Sequence, residues 1–120
     1  MVVGSVIERQ RGDAADRLLH ALADATRRDI VERTIVEELS VSALARGYPM
    51  SFAAVQKHVA VLDRAGLVTK RRRGREQLVR GNVDAVRDAG AALDRLVAVW
   101  TARMDRIGEL LADDPEGAST

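Results

Sequence analysis

The sequence predicts a mainly α-helical domain that contains one small β-hairpin. Apolar residues recur every three or four positions over most of the chain, which is the period of an amphipathic helix. Capping residues and glycines divide this pattern into segments of helix length. Between residues 67 and 80 the pattern changes to two short runs on either side of a glycine, which is typical of a hairpin. At 120 residues, the chain has the length of one domain.

The chain begins with a segment that shows no periodicity. Residues 1–12 contain two glycines and no sustained apolar period, so they are interpreted as a flexible arm. A first helix is predicted to begin at Asp13, a candidate N-cap. Asp24 is the candidate N-cap of a second helix, because an aspartate side chain accepts hydrogen bonds from the unpaired N–H groups of a first helical turn.

The middle of the chain predicts two helices joined by a tight turn. A third helix over residues 41–46 ends at a Gly-Tyr-Pro-Met stretch, since glycine and proline both interrupt helices. Ser51 is the candidate N-cap of a fourth helix over residues 52–65, and Gly66 stands where glycine is favoured after a helix end. This arrangement is typical of a helix-turn-helix.

A basic hairpin and a long amphipathic helix follow. Residues 67–71 and 76–80 are predicted to be two strands, and Gly74 between them supplies the positive φ that a hairpin turn needs. The last helix has an apolar stripe that continues to Leu111, with a break expected at Gly90. The stripe is longer than one small core can use, so it is predicted to pack against a second subunit.

These elements predict a winged helix-turn-helix, in which the hairpin is the wing, and the predicted assembly is dimeric. The domain is expected to span residues 13–112, after the flexible arm. A polar tail at residues 113–120 is interpreted as disordered.

The charge distribution predicts a surface that meets phosphates. The chain has 19 basic and 18 acidic residues and a net charge of +1. Residues 57–80 alone hold eight basic and two acidic residues, an excess of six positive charges on the fourth helix and the hairpin. Such clustering is the electrostatic pattern of a nucleic-acid-binding surface.

The composition excludes several classes of site. The chain has no cysteine, so a disulfide, a thiolate metal site and a thiol nucleophile are all excluded. It has only two histidines, well separated, and no phosphate-binding loop. An enzyme and a bound cofactor are therefore not expected. Without a signal peptide or an apolar span, a soluble cytoplasmic protein is expected.

Four segments resemble the ArsR family of winged-helix transcriptional regulators. Residues 21–28 are similar to the family's Ala-Leu-Ala-Asp-Pro-Thr-Arg-Arg, with Ala25 in place of the proline. A Leu-Ser-Val-x-x-Leu-Ala pattern at residues 39–45 and a Ser-x-x-x-Val-x-x-His-Val-x-x-Leu pattern at residues 51–62 follow in register. Ala-Gly-Leu-Val at residues 65–68 then leads into the wing, so the resemblance covers more than half of the chain.

The resemblance implies a sequence-specific regulator of double-stranded DNA, acting as a repressor that an effector releases. It implies a homodimer formed by the first and last helices, the fourth helix in the major groove, the basic wing on the DNA backbone, and a pseudo-palindromic operator. Metal-sensing members carry cysteines at the start of the third helix or histidines on the last helix. Neither set of metal ligands is present here, so no metal is expected. The sequence does not identify a small-molecule effector.

The candidate DNA contacts lie on the fourth helix, on the wing and at the start of the second helix. The residues expected to contact bases are Ala53, Gln56 and Lys57. Glutamine can bond adenine, lysine can donate to guanine, and alanine can touch the thymine methyl group. The residues expected to contact the DNA backbone are Arg27, Arg28, Ser51, Arg64, Lys70, Arg71, Arg72, Arg73 and Arg75.

Each of these assignments has a structural alternative. In that alternative, Ala53, Gln56 and Lys57 are ordinary solvated helix residues and the wing is a solvated basic loop. Ser51 then acts as a cap alone, and Arg27 or Arg28 pairs with an acidic residue such as Asp24.

The dimer interface is assigned to apolar residues of the first and last helices. They are Leu18, Leu19, Leu93, Leu96, Val97, Trp100, Met104 and Ile107. Trp100 and Met104 are also candidates for the lining of an effector pocket. Two other functions stay open: a winged-helix module for protein–protein contacts, and a sensor that binds an effector or a metal through ligands other than cysteine.

Overall fold

The computed structural model describes the backbone of residues 2–112 and the side chains of residues 12–112. The elements are α1 (Val2–Ala21), α2 (Ala25–Val36), β1 (Leu39–Ser40), α3 (Val41–Ala45), α4 (Phe52–Arg64), β2 (Val68–Arg73), β3 (Glu76–Gly81) and α5 (Val83–Ala112). The strands form an antiparallel sheet in the order β1-β3-β2. The predicted fold class, mainly helical with a helix-turn-helix and a wing, is confirmed.

Local capping determines where the helices of the helix-turn-helix begin. The side-chain oxygens of Asp24, Ser40 and Ser51 each accept a hydrogen bond from the backbone N–H three residues ahead, at 3.0, 3.0 and 3.1 Å. Helices α2, α3 and α4 start directly after these caps. After α4, Gly66 has a φ of 81°, a conformation that glycine adopts without steric cost.

The chain divides between Ala89 and Gly90 into two units. The core of the first unit is aliphatic, and α1 to α4, the sheet and the start of α5 all contribute to it. Its buried residues are Leu18, Ala21, Ile30, Val31, Val41, Leu44, Val55, Val59, Leu62, Leu67, Val68, Val79, Ala85 and Ala89. The buried hydroxyl of Thr34 donates to the carbonyl of Ile30 at 2.7 Å, so this polar group is satisfied within the core.

The described part of the second unit, residues 90–112, is the remainder of α5. Its large apolar side chains are exposed in the single chain: Leu93, Leu96, Val97, Val99, Trp100, Met104, Ile107, Leu110 and Leu111. Most of them form the apolar stripe that the sequence predicted.

Two predictions about helix ends are wrong. Helix α1 begins at Val2, so the segment interpreted as a flexible arm is helical and Asp13 lies inside a helix rather than at its cap. Helix α5 continues through Gly90 without a break. One glycine costs a helix about 1 kcal/mol relative to alanine, which good helix-forming neighbours offset. The predicted tail at residues 113–120 lies outside the described residues.

Candidate nucleic-acid interface

Helix α4 separates a buried face from an exposed one. Val55 and Val59 are fully buried against the core, whereas Ala53, Gln56 and Lys57 are exposed. The separation follows from helical periodicity, since residues three or four apart share a face. The three residues predicted to contact bases therefore lie on the open side of α4.

The two ends of α4 carry different polar residues, Ser51 at the start and Arg64 at the end. Ser51 at the N-terminal end is exposed, and its hydroxyl accepts from the N–H of Ala54. Arg64 is at the other end, about 20 Å from Ser51 along the helix axis at 1.5 Å per residue. There it lines a surface groove with Arg17 and His20 of α1. This position separates Arg64 from Ser51 and from the cleft residues Arg72 and Arg75.

The wing is a tight hairpin that is longer than predicted. Its register pairs Arg72 with Gln77 and Arg73 with Glu76, which leaves a two-residue turn. Gly74, the first residue of that turn, has a φ of 64°, as a type II′ turn requires. Arg72 and Arg73 therefore belong to β2, whereas the sequence predicted them in the connection.

The basic residues of β2 are divided between the two faces of the wing. Side chains alternate along a strand, so Lys70 and Arg72 lie on the same face as the buried Val68. Arg71 and Arg73 lie on the opposite face. The continuous run of basic residues in the sequence thus becomes two groups with different surroundings.

Two of these basic residues have acidic partners within the chain. The guanidinium of Arg71 donates to both carboxylate oxygens of Glu38, at 2.9 and 2.7 Å. This hydrogen bond holds the pKa of Glu38 below its ordinary value. The ammonium of Lys70 lies 3.7 Å from the carboxylate of Asp63 at the end of α4. The predicted role of both residues at the DNA backbone therefore competes with an intramolecular ion pair.

A cleft of about 290 Å³ lies between the helix-turn-helix and the wing. It is lined by Val41, Ser42, Phe52, Gln56, Arg72, Arg75, Glu76 and Gln77. The structure thus brings Gln56, a predicted base contact, next to Arg72 and Arg75, two predicted backbone contacts. Among the ion pairs within residues 12–112, none involves Arg72, Arg73 or Arg75.

Arg27 and Arg28 are engaged at the junction of α1 and α2. The guanidinium of Arg27 donates to the carbonyl oxygens of Ala21 at 2.6 Å and His20 at 3.1 Å. Arg28 donates to the carbonyl of Leu22 at 2.7 Å. Both side chains satisfy carbonyl groups at and just after the end of α1, which have no partner inside a helix. Their predicted contact with the DNA backbone is not supported by this placement.

The residues assigned to the dimer interface also differ in placement. Leu18 is buried in the core of its own chain, so little of its surface is left for a partner. Leu19 is half-buried against that core. The six assigned residues of α5, from Leu93 to Ile107, are exposed in the single chain.

Sequence reasoning missed two residues of this surface. Glu38 precedes β1 and shows no local signal, because its partner Arg71 is 33 positions away. Phe52 was read only as the first residue of α4, yet its ring is half-exposed and lines the cleft. An aromatic residue directly after the capping serine of α4 was the available signal.

The described residues show neither a membrane-spanning helix nor a metal-binding cluster. Residues 2–112 contain no helix that is long and apolar enough to cross a membrane. The side chains of residues 12–112 form no group of three histidine, cysteine, aspartate or glutamate residues that is suited to hold a metal ion.

Similarity to known proteins identifies the family. No protein-family model matches the sequence. The chain is 38% identical over 105 residues to the HTH-type transcriptional regulator Rv2034 of Mycobacterium tuberculosis, across 88% of this chain and 94% of that protein. Among solved structures, an ArsR-like transcriptional regulator from Rhodococcus sp. RHA1 is 30% identical with a TM-score of 0.71, over 82% of this chain and 92% of that one.

A second solved structure is the homodimeric winged helix-turn-helix DNA-binding domain of Mb0332 from Mycobacterium bovis. It is 31% identical with a TM-score of 0.59, over 72% of this chain and 79% of that one. The chain belongs to the ArsR family of winged helix-turn-helix transcriptional regulators. The resemblance seen in the sequence is confirmed, and so is the prediction that the protein is a regulator rather than an enzyme.

Proposed function

We propose that this protein binds a specific double-stranded DNA site as a homodimer and represses transcription there. Helix α4 enters the major groove, where Gln56, Lys57 and Ala53 contact bases. The wing lies on the DNA backbone. The observation that carries this proposal is the cleft between α4 and the wing, in which Gln56 lies beside Arg72 and Arg75.

The electrostatics of the wing support a polyanionic partner. Arg72, Arg73 and Arg75 are exposed, and none belongs to an ion pair among the side chains of residues 12–112. Like charges this close repel one another unless a counter-charge neutralises them. DNA phosphates on either side of a groove supply that counter-charge, and they position α4 over the base edges.

The homodimer is supported by the apolar side chains of residues 90–112. A monomer rarely exposes a large contiguous apolar surface, and a second copy of the same helix covers such a stripe symmetrically. The homodimeric domain from Mycobacterium bovis offers a parallel. Two-fold symmetry makes the operator pseudo-palindromic, with half-site centres about 10 bp apart.

Repression is the simplest consequence of such binding, since a dimer on a promoter excludes the polymerase by occupying its site. The effector that releases the protein is not held by thiolates, because the chain has no cysteine.

Fluorescence anisotropy tests the proposal. Two labelled duplexes are each titrated with purified protein over a series of salt concentrations. One comes from upstream of the protein's own gene, and the other is a scrambled duplex of the same composition. We expect tight binding to the first duplex and weak, strongly salt-dependent binding to the second. Equally weak binding to both, or none, would overturn the proposal and favour a winged helix that contacts proteins.

A further inference from the structure

Phe52 is an aromatic residue in an unusual position. It is the only phenylalanine of the chain and the first residue of α4, and 47% of its surface is exposed. Val55, Val59 and Leu62 already fill the buried face of that helix. The exposed ring is therefore not explained by packing in the core.

The ring lies on the flank of α4 that faces the wing. Phe52 and Gln56 are four positions apart, which places them on one side of the helix. Both line the cleft to which the wing contributes Arg72 and Arg75. An apolar ring thus stands beside an amide that is suited to bond a base and beside two cations that are suited to bind phosphates.

The chemistry of the major groove indicates what an apolar side chain contacts there. Among the groups that the four base pairs present in that groove, the C5-methyl of thymine is the apolar one, and phenylalanine is one of the side chains that recognise it. The N-terminal residues of a recognition helix are those that contact base edges. Phe52 is the first residue of α4.

We propose that Phe52 is a specificity-determining residue that contacts the methyl group of one thymine in each half-site, next to the base pair that Gln56 contacts. This inference rests on the proposed function, because it requires α4 to lie in the major groove. The competing role is structural: the ring supports the wing by packing on the side chains of Arg72 and Gln77.

Removal of a single methyl group from the DNA separates these two roles. Duplexes preferred by the wild-type protein are selected from a randomised pool, and each thymine is then replaced singly by deoxyuridine, which lacks the methyl. We expect one thymine in each half-site at which this replacement weakens wild-type binding about fourfold, the effect of burying one methyl group. For Phe52→Ala, the duplexes with thymine and with deoxyuridine at that position bind equally.

Two further variants keep the result interpretable. Phe52→Gln keeps an extended side chain but replaces the apolar ring with a polar amide, and it must also lose the dependence on the methyl group. Val83→Ala removes an apolar side chain that is comparably exposed, at 41%, outside the cleft, and it must retain that dependence.

Two results would overturn the inference. If, at each thymine where deoxyuridine weakens wild-type binding, it also weakens binding of Phe52→Ala to the same extent, or if no thymine has such an effect, the ring does not contact a methyl and its role is structural. If the wild type selects no preferred sequence, the proposed function itself fails. The two failures are distinguished by whether selection with the wild-type protein succeeds.

Discussion

Arg71 and Glu38 form a two-point ion pair that crosses the central strand of the sheet. Glu38 precedes β1 and Arg71 lies in β2, with β3 between them, and both carboxylate oxygens accept from the guanidinium. The pair ties one face of the wing to the rest of the domain. It also neutralises one of the eight basic residues between positions 57 and 80, so fewer cations are free for DNA than the sequence indicates.

Glu38→Gln is expected to strengthen binding to non-specific DNA, because it releases Arg71 for a phosphate. The slope of log affinity against log salt concentration should steepen by about 0.9, the value for one added phosphate contact. Anisotropy titrations on the scrambled duplex measure this slope. The control is Arg71→Ala, which should leave the slope of the wild type unchanged. A loss of about 0.9 in that control would show that Arg71 contacts DNA despite the ion pair.

Lys57→Ala and Arg73→Ala are expected to affect DNA binding in different ways. Lys57 is assigned to a base, so its loss should cost about 1–3 kcal/mol on the operator and little on scrambled DNA. Arg73 is assigned to a phosphate, so its loss should weaken both complexes alike and reduce the salt slope by about 0.9. Parallel titrations of both duplexes check this. Equal effects of the two variants on scrambled DNA would contradict the assignments.

Ser51 is expected to combine a cap with a phosphate contact, and two substitutions separate these roles. Ser51→Ala removes the cap and should lower the free energy of unfolding by about 1 kcal/mol. Ser51→Asp preserves the cap, since aspartate caps helices as well as serine. Its negative charge should nevertheless weaken DNA binding about tenfold through repulsion of the phosphate. Denaturant unfolding and anisotropy measure the two effects, and unchanged DNA binding in Ser51→Asp would leave Ser51 a cap alone.

Gly81→Ala is expected to destabilise the fold. An added Cβ would lie 2.5 Å from Cγ1 of Ile35 and 3.0 Å from the carbonyl oxygen of Val31, so β3 and α2 would have to separate. Such overpacking costs about 1–3 kcal/mol. Gly12→Ala is the matched control: its Cβ meets nothing within 4 Å, and in a helix it should stabilise by up to about 1 kcal/mol. Equal unfolding free energies of the two variants would refute the close approach.

The apolar stripe of residues 90–112 is expected to form the dimer interface. Trp100, the only tryptophan of the chain, is 61% exposed in the single chain, so its emission should shift to the red when dilution dissociates the dimer. Leu96→Asp should sediment as a monomer where the wild type is a dimer. Arg95→Asp changes charge on the opposite side of the helix and should remain dimeric. A dimeric Leu96→Asp would place the interface elsewhere.

The sequence by itself determined the features that depend on a few neighbouring residues. The caps at Asp24 and Ser51, the glycine after α4 and the turn at Gly74 were all predicted. Each is a contact or a backbone conformation that involves no more than three or four positions. Helical periodicity likewise predicted which residues of α4 are exposed, because it depends on spacing alone.

Only the tertiary structure decided which distant residues meet. The carboxylate that neutralises Arg71 and the cleft that holds Phe52 both depend on how helices pack against each other and against the sheet. The residue type determines which kind of partner a side chain can bind. Its partner is selected by the three-dimensional arrangement, which no local pattern encodes. For this reason the sequence predicted a basic wing but not which of its arginines are free to bind DNA.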